Sequence, residues 1–421
     1  MNRRIVLTAM GSLGDVHPYL AIALELQARG HSAVVATSAC YRTKVESLGL
    51  EFQTLSPDST FVTDPDLARR FMDYRWGTVR VIREVVLPVI RQSYADTLAA
   101  VGRHADLLVC HPLTFATRLV AEKLGIPWVS THVTPLGLFS PHDLPALPVL
   151  PDLTQRLRWL GPHIWGPLGE LMTHATRPWA RPIDQLRSEI GLPPCPDNPL
   201  VDGHSPTLVL ALYAECLAPR QVDCPPQVVY TGFPTFDRDP ARAMSEELSR
   251  FLDDGPPPIV FTLGVTAAMV GGHFFRASRS AAEKLGRRAV LIIGPTQIDD
   301  FSPFSDQHFT CSYVPFSKLF SRSCLIVHAG GIGTTGLVMR SGRPSLVVPH
   351  AHDQPDNAAR LTRLGIARTI APRRYTVDRS AKELERLLNQ PAYAERAQAI
   401  GESLGNDDGA GRAADALEAL L

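Results

Sequence analysis

Apolar and polar positions along the chain alternate between two spacings. Residues 5–9 and 33–37 are short apolar runs of the kind that forms buried strands, and residues 19–29 between them have helical spacing. The same order of strand, helix and strand returns at residues 107–110, 115–124 and 128–131. Because such a crossover returns the chain parallel to the previous strand, the pattern predicts a parallel sheet with helices on both faces.

A second series of apolar runs, separated by helical segments, lies at residues 259–263, 289–293, 325–328 and 345–348. Between the two series, residues 219–226 are rich in proline and indicate an interdomain linker. The length of 421 residues also favours two domains over one. We therefore predict an α/β protein with two doubly wound, Rossmann-like domains that face each other across a cleft. The predicted boundaries are 1–218, a linker at 219–229, a second domain at 230–395, and C-terminal helices at 396–421 that pack back on the first domain.

Residues 136–199 differ from both series, because they contain many prolines and few clear strand patterns. They predict helices and loops that cover the first sheet. Trp159, Trp165 and Trp179 lie in this stretch. Ordinary core packing is the simpler interpretation of these tryptophans, and a pocket for an apolar ligand is the alternative.

Composition limits the class of partner. The chain has 42 basic and 42 acidic residues, so no net charge attracts it to nucleic acid or anionic lipid. Its seven cysteines include no CxxC pair, which favours reduced thiols in the cytoplasm over disulfides or a zinc site. The apolar start indicates a first strand rather than a signal peptide, and no apolar run approaches the roughly 18 residues of a membrane span. A small-molecule partner fits these features best.

The sequence HAGGIGTT, at residues 328–335, follows an apolar run and precedes a helical segment. Glycines let the backbone approach a ligand closely, and the N–H groups at a helix start attract phosphate. His328 and Thr334 add side-chain donors at the same place. The motif predicts an anion site, although a tight turn with packing glycines would have the same pattern.

The sequence PHAHDQPDNA, at residues 349–358, brings Asp353, Gln354 and Asn357 directly after a predicted strand. A carboxylate beside a carboxamide can bind the vicinal hydroxyls of a sugar. The position after a strand lies on the ligand side of an open parallel sheet. Asp353 could instead cap the helix that follows.

The sequence GSLGDVHPY, at residues 11–19, is a third turn between a strand and a helix, with Pro18 expected in the first turn of that helix. It lacks the G-x-G-x-x-G spacing, and no acidic residue ends the second strand, so a nicotinamide or flavin site is excluded. Asp15 and His17 remain as two potential proton acceptors beside the cleft.

In this order and spacing, the three motifs resemble the nucleotide-sugar glycosyltransferases of family one, which have the GT-B fold. TGFPTFD at residues 231–237 and VFTLG at residues 260–264 extend the resemblance over nearly the whole chain. Within that family the chain resembles bacterial sterol-glucosyltransferase-like enzymes and the catalytic rhamnosyltransferase chain of rhamnolipid synthesis. The resemblance implies an inverting transfer of a hexose to a hydroxyl of a small lipophilic acceptor, without a metal or any cofactor besides the nucleotide sugar.

The resemblance also implies roles for individual residues. The donor diphosphate would be bound by Thr266, His328, Gly331, Gly333 and Thr334. The donor sugar would be bound by Asp353 and Gln354, and the nucleobase would meet the backbone of Val314 and Pro315. Asp15 matches the general base, where many relatives have a histidine, and His17 is the runner-up.

Two positions depart from the family pattern. Val265 replaces a serine that contacts phosphate, and His111 stands where many relatives have an aspartate that supports the base. His111 is therefore either the partner of Asp15 or a structural histidine. Two Asp-x-Asp triplets, at residues 64–66 and 237–239, indicate a helix cap and a solvated turn rather than a metal site.

Several alternatives stay open at this level. UDP-glucose is the favoured donor and dTDP-rhamnose the other, and the acceptor is a sterol, a polyketide, a flavonoid or a hydroxylated lipid. A nucleotide-sugar epimerase would share the same fold, as would a non-catalytic relative that binds a nucleotide sugar or a partner protein. The oligomeric state is open, and any membrane contact would be peripheral.

Overall fold

The computed structural model describes residues 2–58, 64–147, 151–236, 243–268, 271–293, 305–405 and 407–421. The chain forms two compact units. The first contains the start of the chain, Trp76–Thr235 and Asp408–Leu421, and the second contains the rest. Within the described residues, no helix combines the length and the hydropathy that a membrane span requires.

Seven parallel strands form the sheet of the first unit. They are β1 (Arg4–Thr8), β2 (Ser32–Thr37), β3 (Glu51–Thr54), β4 (Leu107–Cys110), β5 (Trp128–His132), β6 (Leu208–Ala211) and β7 (Val228–Tyr230). Their order is β3-β2-β1-β4-β5-β6-β7. The central strands are almost wholly buried, as expected for a sheet covered by helices on both faces.

Nine helices occur in the first half of the chain. They are α1 (Leu13–Ala28), α2 (Arg42–Ser47), α3 (Pro65–Phe71), α4 (Gly77–Arg80), α5 (Ile90–Val101), α6 (Phe115–Leu124), α7 (Pro151–Arg156), α8 (Pro162–Thr176) and α9 (Arg181–Glu189), as far as the chain is described. The short helix α3 belongs to the second unit, where the neighbouring Met72 packs on the core. Asp64 caps α3 by accepting from the N–H groups of Asp66 and Leu67, so the cap predicted at this triplet is confirmed. The other triplet, at residues 237–239, lies outside the described residues.

Six parallel strands form the sheet of the second unit. They are β8 (Ile259–Thr262), β9 (Ala289–Ile292), β10 (His308–Cys311), β11 (Leu325–His328), β12 (Ser345–Val347) and β13 (Ala367–Thr369). Their order is β10-β9-β8-β11-β12-β13. The remaining helices are α10 (Glu246–Asp253), α11 (Gly264–Ala268), α12 (Gly272–Lys284), α13 (Phe316–Phe320), α14 (Ile332–Ser341), α15 (Gln354–Arg363), α16 (Val377–Asn389), α17 (Pro391–Leu404) and α18 (Gly409–Glu418). The prediction of two doubly wound α/β domains is confirmed.

The two C-terminal helices belong to different units, whereas the sequence predicted that both pack on the first domain. Helix α18 packs on α1, where the Arg29 guanidinium binds the carboxylates of Asp415 and Glu418. Helix α17 instead packs on α14 in the second unit. Gly401 allows that contact, because a Cβ there would lie 2.7 Å from the Cα of Gly342.

The proline-rich residues 219–226 form a loop between β6 and β7 of one sheet rather than a linker between the units. The first unit continues to Thr235. The sequence concealed this because β7 has only three residues and begins two residues after a pair of prolines.

Replacing Leu417 with Ala should destabilise the first unit. Leu417 is fully buried on α18, so its truncation should lower the free energy of unfolding by about 3 kcal/mol. All five tryptophans lie in the first unit, so their fluorescence during urea unfolding follows that unit. Leu420 is only half-buried, so Leu420→Ala is the control. Equal losses of unfolding free energy in the two variants would contradict the docking of α18.

Candidate active site

Both sheets reverse their strand order at one point, between β1 and β4 in the first unit and between β8 and β11 in the second. In open parallel sheets, ligands bind beyond the carboxyl ends of the strands at this point. Asp15 and His111 follow β1 and β4, and Thr266 and His328 occupy the matching positions of β8 and β11. These four sequence-predicted residues therefore lie at the reversal points of the two sheets.

Asp15 lies in the first turn of α1 and closes the turn after β1. Its Oδ2 accepts hydrogen bonds from the Ser12 N–H at 2.8 Å and from the Ser12 hydroxyl at 3.0 Å. Gly11 has a φ of +123°, and a Cβ at this position would lie 2.4 Å from Asp15 Oδ2. Glycine is therefore required both for the backbone and to leave room for the carboxylate.

The contacts between Ser12 and Asp15 also explain where α1 begins. Helix α1 begins at Leu13, so Pro18 lies inside it and not in its first turn as predicted. The reciprocal contacts between Ser12 and Asp15 nucleate the helix earlier than the apolar pattern indicated. His17 lies two residues beyond Asp15, and residues two apart on a helix point to different faces. The structure therefore does not place the two predicted proton acceptors side by side.

His111 is the nearest ionisable neighbour of Asp15. Its side chain is 2 % exposed, and its Nε2 lies 3.7 Å from Asp15 Oδ1. The Leu113 N–H donates to His111 Nδ1 at 3.1 Å, so the neutral ring carries its proton on Nε2, the atom that faces Asp15. A distance of 3.7 Å exceeds a hydrogen bond, but it lets the N–H dipole stabilise the carboxylate.

The Asp15 carboxyl titrates below its usual range. Burial raises the pKa of Asp15, but the interactions with His111 and the hydrogen bonds from Ser12 outweigh that effect and lower it overall. The side chain keeps about a third of its surface exposed, which gives a ligand access. Asp15 is thus an ionised carboxylate at neutral pH.

Tyr19 holds His111 in place, a role that the sequence reasoning missed. The two rings pack with centroids 5.7 Å apart, and the Tyr19 hydroxyl is hydrogen-bonded to that of Thr131. A tyrosine one helical turn after an aspartate is the only trace of this contact in the sequence.

A cavity of about 730 Å³ opens beside His111 within the first unit. Its walls come from β5, α6, α8 and residues 199–204, and half of its lining residues belong to the proline-rich stretch 136–199 in which a pocket was considered. His132 and His204 line it and contact each other, with Nε2 to Nδ1 at 3.0 Å. Burial lowers the pKa of His132 to about 3, so the ring is neutral. The tryptophans at 159, 165 and 179 do not belong to its wall, and Trp165 is buried as ordinary core.

In the second unit, β11 ends at His328 and α14 starts after Gly331. Gly330 has a φ of +87°, and a Cβ there would lie 2.8 Å from Val347 Cγ1. A Cβ on Gly331 would meet nothing within 4 Å, so space lies open in front of the helix start. Gly333 and Thr334 belong to the first turn, whose N–H groups have no partner within the helix.

His328 adds a donor to this turn. Its Nδ1 accepts from the Gly330 N–H at 3.1 Å, so the proton sits on Nε2. This Nε2 is buried and has no partner among the described residues. Burial also lowers the pKa of His328 to about 3, which keeps the ring neutral. A buried N–H without an acceptor, beside a helix start, fits a phosphate oxygen.

The loop after β12 reaches the same turn through Asn357. The Asn357 side-chain NH₂ donates to the Gly330 carbonyl at 2.9 Å and to Asp353 Oδ2 at 2.7 Å. Asp353 is the residue before α15, but its side chain makes no capping hydrogen bond, so capping does not account for it. The sequence had named Asn357 without a role. The structure makes it the link between the predicted phosphate and sugar residues.

Gln354 is held more tightly than the sequence suggested. Its Oε1 accepts from the N–H groups of His350 at 2.7 Å and Ala351 at 3.1 Å. A sugar hydroxyl would therefore meet its NH₂ group only. His352 in the same loop has a φ of +59°, a strained conformation for a residue other than glycine. Such strain marks a loop whose shape is held by its surroundings.

Val314 and Pro315 follow β10, the edge strand that lies three strand spacings, or about 14 Å, from β11. Val314 is buried, and Pro315 precedes α13. Thr266 lies in α11, shortly after β8. Since β8 lies between β10 and β11 in the sheet, Thr266 comes between the pair Val314 and Pro315 and the residue His328 along that edge. The predicted nucleobase, phosphate and sugar residues accordingly follow one edge of the second sheet.

Comparison with known proteins agrees with this arrangement. Residues 5–136 match the N-terminal domain of glycosyltransferase family 28, and residues 280–420 match the C-terminal domain of proteins like erythromycin biosynthesis protein CIII. The chain is 30 % identical to O-mycaminosyltylonolide 6-deoxyallosyltransferase of Streptomyces fradiae, over 99 % of this chain and 97 % of the relative.

The chain is a natural-product glycosyltransferase of the GT-B type. Solved structures agree on the fold of this glycosyltransferase. The glycosyltransferase of kitacinnamycin superposes with a TM-score of 0.73 at 22 % identity, with 100 % of both chains covered. The spinosyn rhamnosyltransferase complexed with thymidine diphosphate superposes with a TM-score of 0.67 at 16 % identity, covering 99 % of this chain and 100 % of the other.

Nucleotide-sugar binding by this glycosyltransferase should not depend on a charged histidine. The pKa of His328 is lowered to about 3, so its ring donates as a neutral group from about pH 5.5 to 8. The affinity for dTDP-glucose or UDP-glucose, measured by calorimetry, should stay constant over that range, and His328→Ala should weaken it about tenfold. Affinity that falls as the pH rises through the ordinary histidine range would contradict this assignment.

Proposed function

We propose that this glycosyltransferase transfers a hexose from a nucleoside diphosphate to a hydroxyl of a lipophilic acceptor, with inversion and without a metal, and that Asp15 is the general base. The observation that carries this proposal is the position of Asp15. It is an ionised, partly exposed carboxylate at the reversal point of the first sheet, 3.7 Å from a histidine that lines a 730 Å³ cavity.

The reaction needs one proton transfer and one displacement. Asp15 takes the proton of the acceptor hydroxyl while its oxygen bonds to the anomeric carbon. The bond from that carbon to the diphosphate breaks on the opposite face, so the configuration inverts. The charge that develops on the diphosphate is stabilised by the His328 N–H and the helix start of α14. Fixed donors of this kind can replace a metal, which supports metal independence.

His111 keeps the base ionised. Relatives in the resemblance have histidine as base and aspartate as support, and here the two residue types are exchanged. With its Nε2–H toward Asp15, the neutral His111 ring favours the carboxylate over the carboxylic acid.

The names of the relatives help to rank the possible sugar donors. Their names include a 6-deoxyallosyltransferase and a rhamnosyltransferase complexed with thymidine diphosphate. We therefore rank a thymidine-linked deoxyhexose first, and UDP-glucose, which the sequence favoured, second. For the acceptor, the same names favour a polyketide among the classes considered.

Titration calorimetry with UDP, UDP-glucose, dTDP and dTDP-rhamnose, in EDTA and again in magnesium, tests the donor and the role of metal. We expect binding that is indifferent to metal, with thymidine nucleotides at least tenfold tighter than uridine ones. Tighter binding of UDP-glucose would reverse the ranking, and binding only in magnesium would contradict metal independence. No binding of any nucleotide would contradict the proposed donor class and favour a non-catalytic relative that binds a partner protein.

The pH profile of kcat/KM should depend on His111. The pKa of Asp15 is lowered, so activity is present above it and falls only as the pH drops through it. His111→Phe removes the N–H group that stabilises the Asp15 carboxylate but leaves Asp15 as buried as before, so the pKa of Asp15 should rise. The acidic limb of the profile should therefore move to higher pH. His104 also contacts a carboxylate, that of Asp106, but is exposed, so His104→Phe is the control. An unmoved acidic limb in His111→Phe would contradict the proposed pairing.

A further inference from the structure

The cavity beside His111 extends well away from Asp15. Trp128, Ser130 and His132 line it from one face of β5, as the two-residue period of a strand requires. From Trp128 to His132 the strand spans about 13 Å. β4 pairs with β5 so that Cys110 lies opposite Ser130, which places the following His111 at the His132 end. Trp128 therefore marks the far end.

Arg118 occupies that far end. Its guanidinium carbon lies 5.7 Å from the centre of the Trp128 ring, and its Nε donates to Glu122 Oε1 at 2.7 Å. Its Nη1 is buried and has no partner in the part of the chain that is described. Gly203, which also lines the cavity, is a neighbour of this nitrogen, because a Cβ there would lie 3.8 Å from it.

Two buried polar atoms in the wall of this cavity, Arg118 Nη1 and His132 Nδ1, have no hydrogen bond to a described residue. A third such atom, His111 Nε2, faces Asp15. Buried polar atoms almost always have hydrogen-bond partners, so unsatisfied atoms in a cavity wall point to a ligand. His132 is nine-tenths buried, and His111 more deeply still.

The charge of Arg118 is already balanced. Glu122 binds both Arg118 and Arg187, and Asp197 Oδ1 lies 3.9 Å from Arg118 Nη2. What the Nη1 group lacks is an acceptor oxygen rather than a counter-ion. A carbonyl or a carboxylate would supply it, and an all-hydrocarbon ligand would leave the N–H unsatisfied at a cost.

We propose that this cavity binds an apolar molecule through a carbonyl or carboxylate oxygen that accepts from Arg118 Nη1, at the end away from Asp15. The inference rests on the proposed function in one respect, which is that the molecule is the sugar acceptor. Arg118 then determines specificity. The acceptor carries its reacting hydroxyl at the His111 end and an oxygen acceptor group about 10 Å away, because His111 lies level with Thr131, three residues along β5 from Trp128.

Three fluorescent naphthalene probes test the proposal without donor or turnover. Phenylnaphthylamine has no oxygen, propionyl-dimethylaminonaphthalene has a ketone, and anilinonaphthalene sulfonate has an anionic oxygen group. Arg118→Gln should weaken the binding of at least one oxygen-bearing probe about tenfold and leave phenylnaphthylamine unchanged. A loss confined to the ketone or to the sulfonate supports the proposal and identifies the oxygen as carbonyl or anionic.

The fold should survive this change, because Glu122 keeps its pairing with Arg187. Arg118→Lys provides a second variant that retains the charge and lacks Nη1, and the same loss is expected. Arg91→Gln is the control, since Arg91 forms an exposed ion pair with Glu189 outside the cavity wall. Equal changes for all three probes, or no change for any, would overturn the role of Arg118. Neither result would affect the proposed sugar transfer, which the donor titration tests separately.

Discussion

The parallel pairing of β1 with β4 and of β8 with β11 is the constraint on which the candidate site residues of each unit depend. Each pairing sends the carboxyl ends of two strands to one edge, and the chain leaves that edge through a glycine turn into a helix. The turns at Gly11 and Gly330 require glycine because a side chain would collide with Asp15 in one and with Val347 in the other. Strand pairing and these two close approaches therefore position the Asp15 carboxylate and the turn before α14.

Burial determines the charge of the groups placed there. His132 and His328 are buried and stay neutral, so they act through N–H groups and not through charge. Asp15 is affected in the opposite direction, because His111 and Ser12 stabilise its carboxylate more than burial destabilises it. The base proposed in the first unit is therefore a charged group, whereas His328, proposed as a diphosphate donor in the second unit, is a neutral one.

The sequence predicted the central strands and the helices between them, because these are buried runs with a clear period. The strands it missed are β3, β7, β10 and β13, which are the four edges of the two sheets. They have three or four residues each, and β3 and β13 are partly exposed, so their apolar signal is weak. The loop at 219–226 was misassigned for the same reason, since the strand beyond it is an edge strand.

The candidate site was likewise predictable only in part. Motifs contiguous in sequence identified the turns that contain Asp15 and His328, together with the loop of Asp353. Contacts between distant positions were harder to infer from one sequence. The family resemblance left His111 as either the partner of Asp15 or a structural histidine, and only the structure shows it facing Asp15. The bridging by Asn357 depends on a hydrogen bond to a backbone carbonyl, which no motif indicates. Arg118 carried no motif, and only its unsatisfied Nη1 distinguishes it.

The most direct test of the account compares Asp15→Asn with the wild-type enzyme in transfer rate and in donor affinity. The amide oxygen can still accept from the Ser12 N–H, so the start of α1 should be kept while the base is lost. The account predicts transfer at least a hundredfold slower, with the affinity for the nucleotide sugar unchanged. Undiminished transfer in this variant would contradict the assignment of Asp15 as the general base.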